Sequence, residues 1–275
     1  MKKILVPTDF SPCASLSAET ALQIAKKFGA SVDFLHSADT ASDWSSLLDI
    51  NDKHHPEEQK LLDYALDELH LLEKMAEREN VNAKSHLAHD FSADDIIQFG
   101  KKLECDMMVM NTHCSSGIKE YITGTIEQKV IRLSKLLVLA LKTPPENVEF
   151  NNILFASDFE PESHGAVDSV LGFAQKFKSK LSFLYVDTPQ AGDHAVNRKK
   201  SMGQLKKKYD SIVSDMHIES ANHEYDGILQ FSENHSPDLI AITTHNRQGL
   251  DYLIAGGRTD HILNESKKPV LIVPV

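Results

Sequence analysis

The stretch Lys3-Ile4-Leu5-Val6-Pro7-Thr8-Asp9-Phe10-Ser11-Pro12 opens the chain. Its pattern returns as Asn152-Ile153-Leu154-Phe155-Ala156-Ser157-Asp158-Phe159-Glu160-Pro161. With Asp158 laid on Asp9, an offset of 149 positions (158 less 9), no gap is needed. Asp9, Phe10 and Pro12 fall on Asp158, Phe159 and Pro161; Leu22, Ala25, Lys27, Phe28, Phe34 and Leu35 fall on Leu171, Ala174, Lys176, Phe177, Phe183 and Leu184. Nine identities in register across some 27 positions make chance similarity improbable. Towards the end of each half Thr112-His113 matches Thr244-His245, and Gly124 matches Gly256, now at an offset of 132 (256 less 124). The change of offset gives the first copy a longer middle, between about Asp39 and Lys60. A period this long marks a duplicated domain.

Each copy reads as strand alternating with helix. Short apolar runs rich in β-branched residues, Lys3–Pro7 and Ile153–Ala156, predict the first strands. Ala18, Ala21, Leu22, Ala25 and Phe28 then recur at helical spacing, as do Val167, Val170, Leu171, Ala174 and Phe177. Strands are expected at Ser31–His36 and Lys180–Val186, and a long helix at Glu57–Glu79. Further strands at Ala83–Leu87 and Met216–Ala221 precede helices at Ser92–Leu103 and Tyr225–Glu233. The runs Met107–Asn111 and Leu239–Thr243 are almost wholly apolar, as befits a parallel strand covered on both faces. Leu136–Leu141 and Pro269–Val273 close the copies. The expectation is an α/β fold: two tandem, doubly wound, five-stranded parallel-sheet domains, Rossmann-like, over 1–143 and 152–275. The segment Lys142–Asn152, with Pro144-Pro145, is the expected linker.

Composition narrows the function. The chain has 275 residues, 41% apolar and 25% charged, ordinary for globular domains. Its formal charge of -11 repels phosphate backbones and anionic lipid, so neither nucleic acid nor membrane is an expected partner. No run reaches the ~18 apolar residues of a spanning helix, and the apolar stretch at the N-terminus is too short for a signal peptide. The three cysteines, Cys13, Cys105 and Cys114, have no framework spacing and point to a reducing, cytoplasmic setting.

In open parallel sheets ligands bind beyond the carboxyl ends of the strands. Three segments per copy converge there: the first-strand ends Pro7-Thr8-Asp9 and Ala156-Ser157-Asp158, the second-strand ends Ser37 and Val186, and the loops running to Gly124-Thr125 and Gly256-Gly257. A glycine admits close backbone approach, and a helix start presents unpaired N–H groups to an anion. Asp9 and Asp158, read from their positions alone, can each cap the helix that follows.

The opening Ile-Leu-Val-Pro-Thr-Asp-Phe-Ser, Asn111-Thr112-His113, Gly124-Thr125 and the closing Pro269-Val270-Leu271-Ile272-Val273 resemble the universal stress protein family, in both halves. The resemblance implies an adenine nucleotide alpha hydrolase-like fold, with terminal strands that pair across a two-fold axis, here inside one chain as an internal pseudo-dimer. It also implies ATP, or another adenine nucleotide, bound through Gly-x-x-Gly, nine residues, then Gly-Ser or Gly-Thr, with Asp9 and Asp158 touching it directly or through Mg²⁺. At that spacing stand Asn111, Cys114, Gly124 and Thr125 in the first copy and Thr243, Asn246, Gly256 and Gly257 in the second. The first two glycines are thus replaced twice, and a Cβ there restricts positive φ and close approach.

His113 and His245, after the fourth strands, are placed to line the clefts. No Walker loop, nucleophile elbow or complete catalytic set is legible. The expected function is a stress-response regulator that holds a nucleotide in at least one cleft, as a pseudo-dimeric monomer or a homodimer. A nucleotide-free scaffold for protein partners and a slow ATP hydrolase are the alternatives. His54-His55 and His86-x-x-His89 read as a loop and a strand end rather than metal ligands. Cys13 and Cys114 read as unreactive thiols, and Arg198-Lys199-Lys200 with Lys206-Lys207-Lys208 as the solvated face of a helix.

Overall fold

The structure, a computed structural model, describes residues 1–38, 56–89, 91–112, 126–142, 148–189, 195–244 and 258–275. The chain divides into two compact units, Met1–Asn111 and Thr112–Val275. No described helix is long and apolar enough to cross a membrane.

Unit 1 runs β1 (Lys3–Thr8), α1 (Pro12–Phe28), β2 (Ser31–Ala38), α2 (Pro56–Arg78), β3 (Ala83–His89), α3 (Ala93–Lys102) and β4 (Met107–Asn111). The sheet order is β3-β2-β1-β4, all parallel, with Ile4 opposite Val32 and Met107. The β1–β4 ladder joins Ile4 and Leu5 to Met107 and Met108; Pro7, which has no N–H to donate, lies beyond it. Ile4, Leu5, Val6 and Met107–Val109 are fully buried, which explains why β1 and β4 read as unbroken apolar runs. Helix α1 starts where Ser11 accepts from Ala14 N–H and Pro12 takes the first turn; it ends at Gly29, whose φ of 68° closes a left-handed cap. Helix α3 starts with a reciprocal capping box between Ser92 and Asp95.

Unit 2 holds α4 (Ile126–Leu133), β5 (Leu137–Leu141), β6 (Asn152–Ala156), a 3-10 turn at Pro161–Ser163, α5 (His164–Phe177), β7 (Lys180–Asp187), α6 (Ala195–Lys208), β8 (Val213–Ser220), α7 (Glu224–His235), β9 (Leu239–Thr244), α8 (Arg258–Glu265) and β10 (Val270–Pro274). Its sheet order is β5-β10-β9-β6-β7-β8. All neighbours are parallel except β5 and β10, where Leu271 faces Leu139 in an antiparallel pair. Here the last strand of the first copy meets the last strand of the second, the pairing expected of an internal duplicate. Arg132 of α4 reaches buried Asp260 of α8 across the same junction, at 3.8 Å.

Candidate functional site

In the first copy β1 delivers Pro7, Thr8 and Asp9 to the carboxyl end of the sheet of unit 1. Pro7 and Thr8 are half-buried and Asp9 is exposed. Asp9 does not cap α1, a role Ser11 takes; its Oδ1 accepts from Ser11 N–H at 2.9 Å and turns the chain out of the strand. Phe10, between them, is held at a φ of 61°. That left-handed conformation costs about 1–2 kcal/mol for a residue with a Cβ and is kept only where its surroundings enforce it.

Those surroundings include His36 of β2. Its ring stacks on Phe10 with centroids 4.1 Å apart, and its Nδ1–H donates to Thr8 O at 2.8 Å. Tyr64 of α2 meets Phe10 edge-on at 6.0 Å. Burial holds the His36 imidazolium below its ordinary 6.5, against weaker opposing effects of the Thr8 carbonyl and Asp9. The unfolded chain therefore binds a proton more readily than the folded one, so stability is full above pH 6.5 and falls as the pH drops from there to the folded-state value. Urea midpoints between about pH 7.5 and 5 should fall with acidity in the wild type and fall less steeply in His36→Phe, which keeps a ring but cannot titrate. Equal slopes would clear His36 of the effect.

The remaining predicted residues of this cleft take different roles. Ser37 Oγ accepts from Phe91 N–H at 2.8 Å, tying the end of β2 to the segment before α3. Asn111 is half-buried at the end of β4. His113, Cys114, Gly124 and Thr125 lie outside the described residues.

The second copy builds the same turn and then bolts it down. Phe159 repeats the left-handed backbone, at a φ of 54°. Asp158 Oδ1 accepts from both Glu160 N–H (3.0 Å) and Ser163 Oγ–H (2.7 Å). Ser201 of α6 donates to Phe159 O at 2.9 Å, Arg198 pairs with Glu160, and Thr243 Oγ1–H donates to Ser157 Oγ at 3.3 Å. Burial raises the Tyr185 phenol, to which Arg198 is hydrogen-bonded, with Asp187 adding to the rise. Arg198 thus belongs to the site and not to a solvated face, and Lys206 donates to Ser214 O at 2.5 Å. Only Lys199, Lys200, Lys207 and Lys208 of those two clusters are exposed.

Ala156 is buried, and Val186, which stands where the first copy has Ser37, is 6% exposed. A Cβ built on Gly227 of α7 would lie 2.6 Å from Val186 Cγ1 and 3.2 Å from Ala221 Cβ. Gly227→Ala is expected to cost about 1–3 kcal/mol by overpacking. Gly172→Ala, where the added carbon meets nothing within 4 Å, should instead stabilise, by up to about 1 kcal/mol. Urea unfolding of the two variants decides it. His245, Asn246, Gly256 and Gly257 lie outside the described residues.

Sequence reasoning passed over His36, Arg198 and Ser201, and did not foresee the backbone of Phe10 and Phe159. A faint signal existed, since His36 and Tyr185 are aligned rings at the 149-position offset. Of the pair His86-x-x-His89, His89 ends β3 as expected, while His86 sits inside the strand and binds buried Asp33. His54-His55 lie outside the described residues. Among those described, no group of three or more metal-ligating side chains assembles. Cys13 is disulfide-bonded, so it is not the free thiol expected. Cys105 is the free one, buried, its thiol pushed up to about 12 chiefly by burial and then by Asp33.

The profile of the Universal stress protein family matches twice, over residues 1–142 and 149–274. The chain is 26% identical over 151 residues to universal stress protein MJ0531 of Methanocaldococcus jannaschii, covering 52% of this chain and 83% of that protein. Universal stress protein MJ0577 of the same organism is 27% identical over 157 residues, covering 51% and 94%. The crystal structure of a universal stress protein from Archaeoglobus fulgidus aligns over 99% of this chain and 96% of its own with a TM-score of 0.79 at 19% identity, a likeness of fold. With both halves matched, the chain belongs to the universal stress protein family and carries two of its domains in tandem.

Proposed function

We propose that this is a regulatory stress-response protein that holds an adenine nucleotide at the carboxyl end of β1, β2 and β4, where Asp9 would hold a Mg²⁺ that neutralises phosphate charge. The carrying observation is the difference between two copies of one turn. Asp9 is exposed and braced by one backbone N–H, so its carboxylate can face a cation. The Asp158 oxygen is taken up by Glu160 N–H and Ser163, inside a network that Arg198 and Ser201 close from α6. The first copy also keeps the Gly124-Thr125 pair of the family motif, where the second has Gly256-Gly257. Its described residues fit a nucleotide: an exposed carboxylate for the metal and half-buried strand ends for the base.

In this reading the second copy is the structural half and offers its surface to protein partners. The protein works in the cytoplasm, where disulfides such as that of Cys13 are usually transient or redox-sensing. Calorimetric titration with ATP and Mg²⁺ tests the assignment. Asp9→Asn is expected to weaken binding at least tenfold, about 1.4 kcal/mol, and Asp158→Asn to leave affinity within about twofold while lowering thermal stability. Absence of binding at millimolar nucleotide, or loss in Asp158→Asn with Asp9→Asn intact, refutes it.

A further inference from the structure

Helices α2 and α6 occupy the same place in the repeat, each following the second strand of its copy, yet they carry opposite charge. Helix α2 has seven acidic side chains against three basic ones, a net charge of -4. Helix α6 has six basic side chains and no acidic one, a net charge of +6. The rest of the chain without α6 therefore carries -17, which is -11 less +6.

The outward faces match in more than sign. On α2, Glu57, Leu61, Tyr64, Glu68 and Leu71 recur at helical spacing on one stripe, beside the stripe that packs on the sheet. Leu61, Tyr64 and Leu71 are 54%, 55% and 56% exposed, an unusual cluster for a helix whose inner face is already served by Leu62, Ala65, Leu69, Leu72 and Ala76. On α6, Met202 and Leu205 point inward, leaving Val196, Lys199, Lys200, Gly203 and Lys207 outward, with Val196 79% exposed. No described carboxylate pairs with Lys199, Lys200 or Lys207. Gly203, at the centre of this face, has open space where a side chain would stand, so a partner helix can approach the backbone between the lysines.

We propose that the exposed stripe of α2 is a docking surface for α6 of a second copy of this chain. Lysines between charged and apolar contacts suit an acidic helix with apolar teeth, and a protein of net charge -11 is itself the acidic partner that a basic face attracts. The same net charge opposes a nucleic acid on α6. Each molecule offers one face of each kind, so contacts form reciprocally in a dimer or serially in a chain.

Sedimentation and light scattering of the full chain test this, at up to about 100 µM and in about 20 mM and 500 mM salt. Association is expected at low salt and should weaken at least tenfold at high salt. Lys200→Glu/Lys207→Glu and Glu57→Lys/Glu68→Lys should each lose it, and mixing these two variants should restore a complex. Gly203→Tyr should block docking with its thermal unfolding unharmed, since the ring enters open space. A wild type monomeric throughout, or association that all three variants retain, overturns the proposal. So does a monomer whose α6 lysines retain labelled duplex DNA or RNA.

Discussion

Phe159→Ala is expected to destabilise unit 2 by about 3–5 kcal/mol, whereas Phe10→Ala, its counterpart in the first copy, should cost about 1 kcal/mol. The two phenylalanines share sequence context and a left-handed backbone. They differ in what surrounds the ring. Phe159 is 0% exposed and packs on Phe155 (5.7 Å, edge-on) and Phe183 (5.0 Å). The first copy has Val6 where the second has Phe155, and Phe10 lies only half-buried, over His36 with the exposed Tyr64 edge-on to it. Phe159→Gly separates ring from backbone. It loses the same packing but relieves the strain of a φ of 54°, so it should be more stable than Phe159→Ala by up to about 1 kcal/mol. Urea unfolding, read on the transition of the unit that carries each change, gives all three values. Equal losses for Phe10→Ala and Phe159→Ala would mean that the aromatic cluster adds nothing.

The reason one turn is open and the other sealed lies in partners distant along the chain, and this marks the limit of what the sequence reveals. The duplication was legible because Asp-Phe-x-Pro and the spacing of apolar positions survive in register. Element boundaries were legible where a cap states them: Ser92 before α3, Gly29 after α1. The apolar runs of β4 and β9 could only be buried strands. By contrast, the Arg198 pair spans 38 residues and the Ser201 contact 42, so a local reading of Arg-Lys-Lys sees only a solvated helix. The sign of φ at Phe10 and Phe159 was invisible for another reason. Phenylalanine has no left-handed preference, and the geometry is imposed by the Asx turn before it and the helix after it. The compact units divide at Asn111 because β5 joins β10, a choice of partner that a strand's own residues do not encode.

The strand-end aspartates were picked out by position, and the structure separates them: one braces its own turn and stays exposed, the other is bound by a serine and a backbone N–H. Two copies of one turn can drift apart this way because each has only to keep its own fold. The opposite charges of α2 and α6 are the same drift on the outer surface.

Asp33→Ala should be a damaging single change to unit 1, at about 1–3 kcal/mol. A charged residue in the strand Ser31–Ala38 looks like one polar step of an alternating pattern, yet Asp33 is 3% exposed. It is held by His86 Nε2–H at 2.6 Å and faces the Lys3 ammonium at 3.9 Å. His86 in turn meets Phe99 edge-on at 5.1 Å, which leaves it no water-rich alternative on that side. Removing the carboxylate strands a half-buried imidazole donor, and Lys3, 33% exposed, recovers part of its loss by turning to solvent. The second copy shows what the site tolerates. At the 149-position offset Ser182 replaces Asp33 and Asn152 replaces Lys3, while His217 stands opposite Leu184 as His86 stands opposite Leu35. Lys3→Asn/Asp33→Ser, which copies that pair, is therefore expected to cost less than the two single changes added together, by about 0.5–3 kcal/mol. Additive losses would show that Lys3 and Asp33 do not act on each other, leaving the burial of the carboxylate without the charge partner that justifies it.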